Sequence, residues 1–186
     1  MKLVKSLLTK NPCYTAGKKI TVKGIMLHSV GCPQPRASVF INSWNRVDYD
    51  NACVHAFIDG NDGTVYQTLP WNHRGWHCAS GKNGSGNNTH IGVEMCEPAC
   101  IKYTGGSTFS CSDMAIAKAV VKRTYEAAVE LFAIHMLKNS GMVVRSTWRK
   151  AIQTFFLQRM ERFILLATRK VLLLVEHIVL TSIIGF

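Results

Sequence analysis

Residues 55–98 constrain the fold more than any other stretch of the sequence. Just before and within this stretch, two runs rich in β-branched and aromatic residues, 54–58 and 64–69, flank the turn Asp-Gly-Asn-Asp-Gly, a pattern typical of a β-hairpin. A later run, residues 91–96, is apolar except for Glu94. The stretch therefore predicts a hairpin and a further strand, with one carboxylate placed inside that strand.

A polar, glycine-rich loop separates the hairpin from this last strand and is predicted to lie outside the core. It carries three histidines and two tryptophans: His73, His77, His90, Trp71 and Trp76. A carboxylate in an apolar strand, beside a loop with imidazoles and indoles, is typical of a functional site. The structural alternative is that the carboxylate pairs with a Lys or Arg at a sheet edge and the tryptophans only pack.

The flanking segments predict the remaining elements. Residues 19–27 read as a buried strand that runs into His28 and a glycine turn, which favours an imidazole facing a cleft, although a lone histidine can also be structural. Helical spacing predicts helices over residues 37–44 and 114–136, the second capped by Ser112 or Asp113. Residues 99–110 are predicted to be a loop. This order predicts an α/β fold with a mixed central β-sheet flanked by helices.

The basic composition of the chain indicates an anionic partner but does not identify it. The chain has 186 residues and a net charge of +11, enough for one domain with its own core and suggestive of an anionic partner such as nucleic acid, anionic lipid or an acidic wall polymer. The N-terminus lacks the apolar run of a secretory signal, so we expect cytoplasmic synthesis. The seven cysteines are then expected to be free thiols; the alternative is that Cys96 and Cys100 approach one another or a metal.

The composition changes abruptly near residue 134. Every Pro, Cys and Asp lies before that point, whereas residues 134–186 carry eight Lys or Arg against two Glu. We therefore divide the chain into a domain at 1–133 and an atypical, basic and apolar tail at 134–186, expected to be helical. Its longest run without a charged residue or a His is nine residues, too short to span a bilayer, although a helix lying on the membrane surface is an alternative.

Four motifs, IMLHSVG, SVFINSWN, HAFIDGNDGTVYQTLPWNHRGWHC and NNTHIGVEMCEP, together resemble the type 2 N-acetylmuramoyl-L-alanine amidases over residues 20–133. The resemblance implies the fold shared by phage and bacterial lysins and peptidoglycan recognition proteins. It also implies Zn²⁺ held by two His and a Cys or Asp, which polarises the scissile carbonyl while a carboxylate or Tyr assists proton transfer. The bond cut in that family joins muramic acid to L-alanine.

The resemblance assigns roles residue by residue. His28 matches the first zinc ligand and Glu94 the catalytic carboxylate. Val54 stands where one branch of the family has its catalytic Tyr, which leaves Glu94 as the general base. His55 matches a supporting position behind the metal site. The rim of the substrate groove is matched by four residues: Trp76, His77, Asn88 and Thr89.

The tail departs from the family where the second and third zinc ligands should follow. After Ala133 the chain offers only His135 and His177, with no Asp or Cys. This loss resembles translation in a shifted reading frame or a recombined end. Translating the gene in its other two frames beyond residue 134 tests the hypothesis, which requires a His followed by Asp or Cys in a Gly-rich context.

The expected function is zinc-assisted peptidoglycan hydrolysis, impaired by the missing ligands, by a monomeric endolysin-like enzyme acting at the bacterial wall. The alternative is a non-catalytic module that binds peptidoglycan. A third interpretation is association of the basic tail with membrane or nucleic acid. We expect muropeptides as partners, no specific nucleic acid and at most weak membrane association.

Overall fold

A computed structural model describes residues 1–82, 84–106 and 108–140 of the chain. The predictions for residues 141–186, including the helical tail and His177, lie outside the described residues. The proposed boundary at residue 133 stays a prediction, and the last helix continues past it to Ser140. No helix of the described part is long and apolar enough to cross a membrane.

A five-stranded sheet forms the centre of the fold, in the order β1-β4-β3-β7-β2. The β3–β4 pair is antiparallel and the other three pairs are parallel, so the predicted mixed sheet with flanking helices is confirmed. The elements in chain order are β1 (Leu3–Lys5), α1 (Pro12–Ala16), β2 (Gly24–Ser29), α2 (Ala37–Trp44), β3 (Ala56–Ile58), β4 (Val65–Gln67), β5 (Ser80–Gly81), β6 (Gly84–Ser85), β7 (His90–Met95), β8 (Ile101–Gly105), β9 (Thr108–Cys111) and α3 (Met114–Ser140).

Side-chain alternation along β3 and β7 divides the core between the two faces of the sheet. One face, which includes Ile58 and Val93, packs against α3 through residues such as Leu131. On the opposite face Phe57 stacks on Phe40 of α2, with ring centroids 5.2 Å apart. The register pairs Phe57 with Glu94, which places the carboxylate of the central strand on the α2 face.

The hairpin turn also fixes the start of α2. Arg36 at the N-cap provides no side-chain hydrogen bond to the helix. The Ala37 amide instead donates to Asp59 Oδ2 at 2.8 Å, while Asp59 Oδ1 accepts from the Asn61 amide. A capping interaction from a distant turn therefore anchors the helix that covers the Glu94 face of the sheet.

Two of the predicted secondary-structure elements differ from the structure. Residues 99–110 are not a loop but largely the β8–β9 hairpin, in which Tyr103 and Phe109 make an edge-to-face contact. Its exposed polar residues hid the strand pattern. The strand predicted at 19–27 begins only at Gly24, and β2 is half-buried because it is the outermost strand of the sheet in the described part.

The helices at 37–44 and from 114 are confirmed, and Asp113 caps the second by accepting from the Ile116 amide.

Candidate active site

A cleft of about 360 Å³ opens on the α2 face of the sheet, at the carboxyl end of β7. Glu94 lies in it, together with Trp76, which is 51% exposed. The complete lining is Asn51, Ala52, Val54, Trp76, His77, Cys78, Ala79 and Glu94. Glu94 thus lines the same cleft as Trp76 and His77, and the roles expected of these three residues stay predictions.

Glu94 is half-buried, and one of its carboxylate oxygens is enclosed by the protein. Its Oε2 atom has no hydrogen-bond partner among the described residues. Burial raises the pKa of Glu94 to about 8, and the nearby Glu97 carboxylate adds to the rise. A carboxyl group with a pKa near neutrality both accepts and donates protons readily, as general acid–base catalysis requires.

His28 and His77 lie side by side next to this carboxylate. In the register of β2 and β7 His28 pairs with Glu94, and its Nε2 is 3.1 Å from Nδ1 of His77. His77 Nε2 donates to the His90 carbonyl at 3.1 Å, so its Nδ1 must accept the proton of His28. Burial lowers the pKa of His77 to about 4, with neighbouring histidines adding to the effect. His77 is therefore neutral at pH 7.

Close packing and an amide clamp hold His77 in place. Its ring lies directly on Gly92, where a Cβ would come within 2.5 Å of His77 Cδ2 and 2.8 Å of Nδ1. Behind it, the buried Asn87 side chain accepts from the amides of His77 and Cys78 at 2.7 and 3.2 Å, and donates to the Cys78 carbonyl at 2.8 Å. Three hydrogen bonds and one steric contact thus oppose movement of the cleft wall.

His55 lies in the core behind His77. The side chain is fully buried; Nε2 donates to the His73 carbonyl at 2.8 Å and Nδ1 accepts from the Gly92 amide at 3.0 Å. Its ring also meets His77 edge to face, with centroids 6.0 Å apart. These contacts tie β3 and β7 to the loop that carries the cleft wall.

Other residues predicted for the groove or its loop lie elsewhere. Asn88 Oδ1 accepts from Arg74 Nε at 2.8 Å, and the Thr89 hydroxyl bonds to Nδ1 of His90. Neither Asn88 nor Thr89 lines the cleft. His73, predicted outside the core, is 8% exposed because the loop folds back on the sheet. The sequence analysis did not single out Asn87. Asn87 and Asn88 are adjacent in the motif, and the sequence does not show which of the two faces the cleft wall.

Glu97 is a second important residue that the sequence did not single out. Its Oε1 accepts from the Ser29 hydroxyl and, at 2.9 Å, from the Gly31 amide, and its Oε2 accepts from the Tyr103 hydroxyl at 2.8 Å. The residue is 6% exposed. It joins the turn after His28, the end of β7 and the β8–β9 hairpin, and so fixes the position of the His28 side of the site.

We expect Glu97→Ala to lower the free energy of unfolding by roughly 2–4 kcal/mol, because it leaves three donors unpaired around a buried position. Tyr103→Phe, which removes one of these bonds, should cost about 1 kcal/mol. Urea unfolding of the three proteins measures both values. Equal, small losses for the two variants would show that the carboxylate does not hold these segments together.

The raised pKa of Glu94 also predicts a pH-dependent stability. Since the folded-state pKa of about 8 lies above the ordinary value of 4.5, the folded protein keeps a proton that the unfolded chain releases. The contribution of Glu94 to stability is therefore fully present below its ordinary pKa and is lost as the pH rises through its folded-state pKa. Between about pH 5 and pH 9 the free energy of unfolding should fall by roughly 2–4 kcal/mol more for the wild type than for Glu94→Gln. Urea unfolding at each pH measures it. Parallel pH profiles for the two proteins would contradict this.

The described residues do not by themselves form a zinc site. Of the ligands that the resemblance implies, they include His28, and they contain no cluster of three or more His, Cys, Asp or Glu that could hold a metal. His77, the nearest imidazole, has one nitrogen bonded to His90 and the other to His28. Zn²⁺ needs at least three protein ligands, so no catalytic step is derived through it.

Comparisons with known proteins agree with the fold. The solved catalytic domain of XlyA aligns with a TM-score of 0.50 and 24% identity, covering 83% of this chain and 98% of that one, so the fold is that of an amidase catalytic domain. The family model for N-acetylmuramoyl-L-alanine amidase matches residues 18–147. The chain therefore belongs to the N-acetylmuramoyl-L-alanine amidase family, which confirms the resemblance.

Two curated relatives, both from Bacillus subtilis (strain 168), align over a short segment. N-acetylmuramoyl-L-alanine amidase CwlH is 49% identical over 45 residues, which is 24% of this chain and 17% of that protein. N-acetylmuramoyl-L-alanine amidase XlyA is 54% identical over 45 residues, 24% of this chain and 14% of that protein. The aligned segment thus spans less than a fifth of either relative.

Proposed function

We propose that this chain is an endolysin-like peptidoglycan hydrolase that cleaves the amide between N-acetylmuramic acid and L-alanine of the stem peptide. The observation that carries the proposal is Glu94, a half-buried carboxylate whose buried Oε2 atom has no hydrogen-bond partner among the described residues, set in a cleft of about 360 Å³. Membership of the amidase family supports the choice of bond.

In this proposal Glu94 is the general base and then the general acid. Its carboxylate accepts a proton from the attacking water, and the same proton passes to the departing amine of L-alanine. With a pKa of about 8 the protonated form is in excess at neutral pH, and the carboxylate that acts as the base is the minor form. Zn²⁺ is the cofactor that the family implies, and polarising the carbonyl is the chemistry it would supply when bound.

The remaining cleft residues are proposed to bind the glycopeptide. Trp76 offers a half-exposed indole on which a sugar ring or peptide can pack. His77 is neutral and rigidly held, which suits it to a hydrogen bond with substrate. His28 is proposed as a metal ligand and His55 as its support, whereas Asn88 and Thr89 would contact only parts of a substrate that extend beyond the cleft.

A second candidate is a muropeptide-binding module without turnover. The incomplete set of metal donors in the described residues favours it, and the tail sequence adds neither Asp nor Cys. Both candidates use the same cleft and the same ligand. They differ in whether zinc is retained and whether the amide bond is broken.

The two candidates are separated by measuring zinc content, muropeptide affinity and release of L-alanine-initiated peptides on one purified sample of the full chain. Zinc retention with turnover supports the hydrolase. Binding without zinc and without turnover supports the module. Failure to bind muropeptide at all would overturn both.

A further inference from the structure

Two cysteines meet at the open end of the β8–β9 hairpin. The sulfurs of Cys100 and Cys111 are 4.0 Å apart, and both residues are half-buried, so small reagents can reach them. Backbone pairing fixes their approach: Ile101 pairs with Cys111, and the Ser112 amide donates to the Cys100 carbonyl at 2.9 Å. The contact is thus set by the sheet register and not by side-chain rotation alone.

We propose that Cys100 and Cys111 form a disulfide when the protein meets an oxidising environment. A disulfide bond is about 2 Å long, so the sulfurs must close by about 2 Å, a movement within reach of side-chain rotation in a hairpin whose strands are already adjacent. This inference does not depend on the proposed hydrolytic function.

The oxidant in this reaction is a small-molecule disulfide, such as oxidised glutathione. One cysteine thiolate attacks it, forms a mixed disulfide and releases one glutathione thiol. The second cysteine thiolate then attacks the protein sulfur of the mixed disulfide and releases the second glutathione thiol. The protein loses two protons and two electrons, and the oxidant is reduced to two thiols.

The structure replaces the sequence-based alternative of a contact between Cys96 and Cys100. Cys96 is 2% exposed and packs in the cluster beneath α2, whereas the Cys100 sulfur faces Cys111. The new link would close the base of the hairpin whose Tyr103 donates to Glu97. It would therefore stabilise the same contacts that fix the turn after His28.

Trypsin provides a direct test, because Lys102 lies between the two cysteines in the sequence. Cleavage after Lys82, Lys102 and Lys118 puts Cys100 on peptide 83–102 and Cys111 on peptide 103–118. The full chain is equilibrated with oxidised and reduced glutathione, its remaining thiols are alkylated, and it is mapped without reduction. We expect the two peptides to remain joined, with fragment ions that place the bond on Cys100.

Matched variants complete the test. Cys111→Ser should abolish the joined peptide, whereas Cys78→Ser should retain it. Oxidation should raise the melting temperature of the wild type by roughly 5–10 °C and leave that of Cys111→Ser unchanged. Two separate, fully alkylated peptides at an oxidising glutathione ratio would overturn the proposal, as would fragment ions that place the bond on Cys96.

Discussion

Glu94→Gln is expected to slow muropeptide hydrolysis by about 10²–10⁴-fold while leaving muropeptide affinity within a few-fold of the wild type. Glutamine has nearly the same shape as glutamate but cannot accept a proton from water at neutral pH. The cleft walls do not depend on the carboxylate, since its Oε2 makes no hydrogen bond in the described part of the chain. The loss should therefore appear in kcat and not in KM.

Glu126→Gln is the matched control for this experiment. Glu126 lies on α3 and pairs with Lys122 at 2.6 Å on the outer face of the helix, away from the cleft. Its replacement should leave turnover unchanged. If Glu94→Gln kept wild-type turnover, another group would have to be the base, and the assignment of Glu94 would be wrong.

Gly92→Ala should be the most destabilising single-methyl substitution in the site, at roughly 2–4 kcal/mol. The added Cβ would lie 2.5 Å from Cδ2 of His77, well inside van der Waals contact. The imidazole cannot simply move, because its Nε2 bonds to the His90 carbonyl and the backbone of its segment is held by Asn87. Urea unfolding measures the loss.

Two further variants identify the cause. Gly81→Ala adds the same methyl group where the nearest atom is 3.9 Å away, so it should cost well under 1 kcal/mol. In a His77→Ala background the ring is absent, and the cost of Gly92→Ala should fall below about 1 kcal/mol. A cost that is the same with and without His77 would mean that the clash does not involve the imidazole.

The sequence predicted the parts of the fold that depend on local pattern. The hairpin of β3 and β4, the helix α2 and the strand with Glu94 follow from β-rich runs, a glycine turn and helical spacing. Each can be recognised without knowing what the element packs against. The placement of Glu94 in a cleft with Trp76 could also be expected, because a carboxylate within an apolar strand is found mainly at functional sites.

What the sequence could not provide depends on contacts between distant segments. Glu97 gains its role from Ser29, Gly31 and Tyr103, which no spacing rule brings together. The β8–β9 hairpin is exposed and polar, so it lacks the apolar alternation that identifies a half-buried strand. Whether Asn87 or Asn88 holds the segment with His77 depends on the backbone conformation of the loop. The local sequence does not determine that conformation.

The composition of residues 134–186 remains the feature that the fold does not explain. The family match extends to residue 147, while the loss of Pro, Cys and Asp begins at 134. The shifted-frame hypothesis stays a prediction, and the alternative-frame translation described above tests it. Recovery of a His and an Asp or Cys in that translation would supply the donors that the described residues lack.

The central claim, that this cleft cuts the muramoyl–alanine amide, is tested most directly by identifying the bond broken. Purified peptidoglycan is incubated with the full chain and Zn²⁺, and the products are analysed by mass spectrometry. The account predicts peptides with a free L-alanine amino group and glycans with a free lactyl carboxyl group. Cleavage of a glycosidic bond or of a bond within the stem peptide, or an intact substrate after exhaustive digestion, would contradict it.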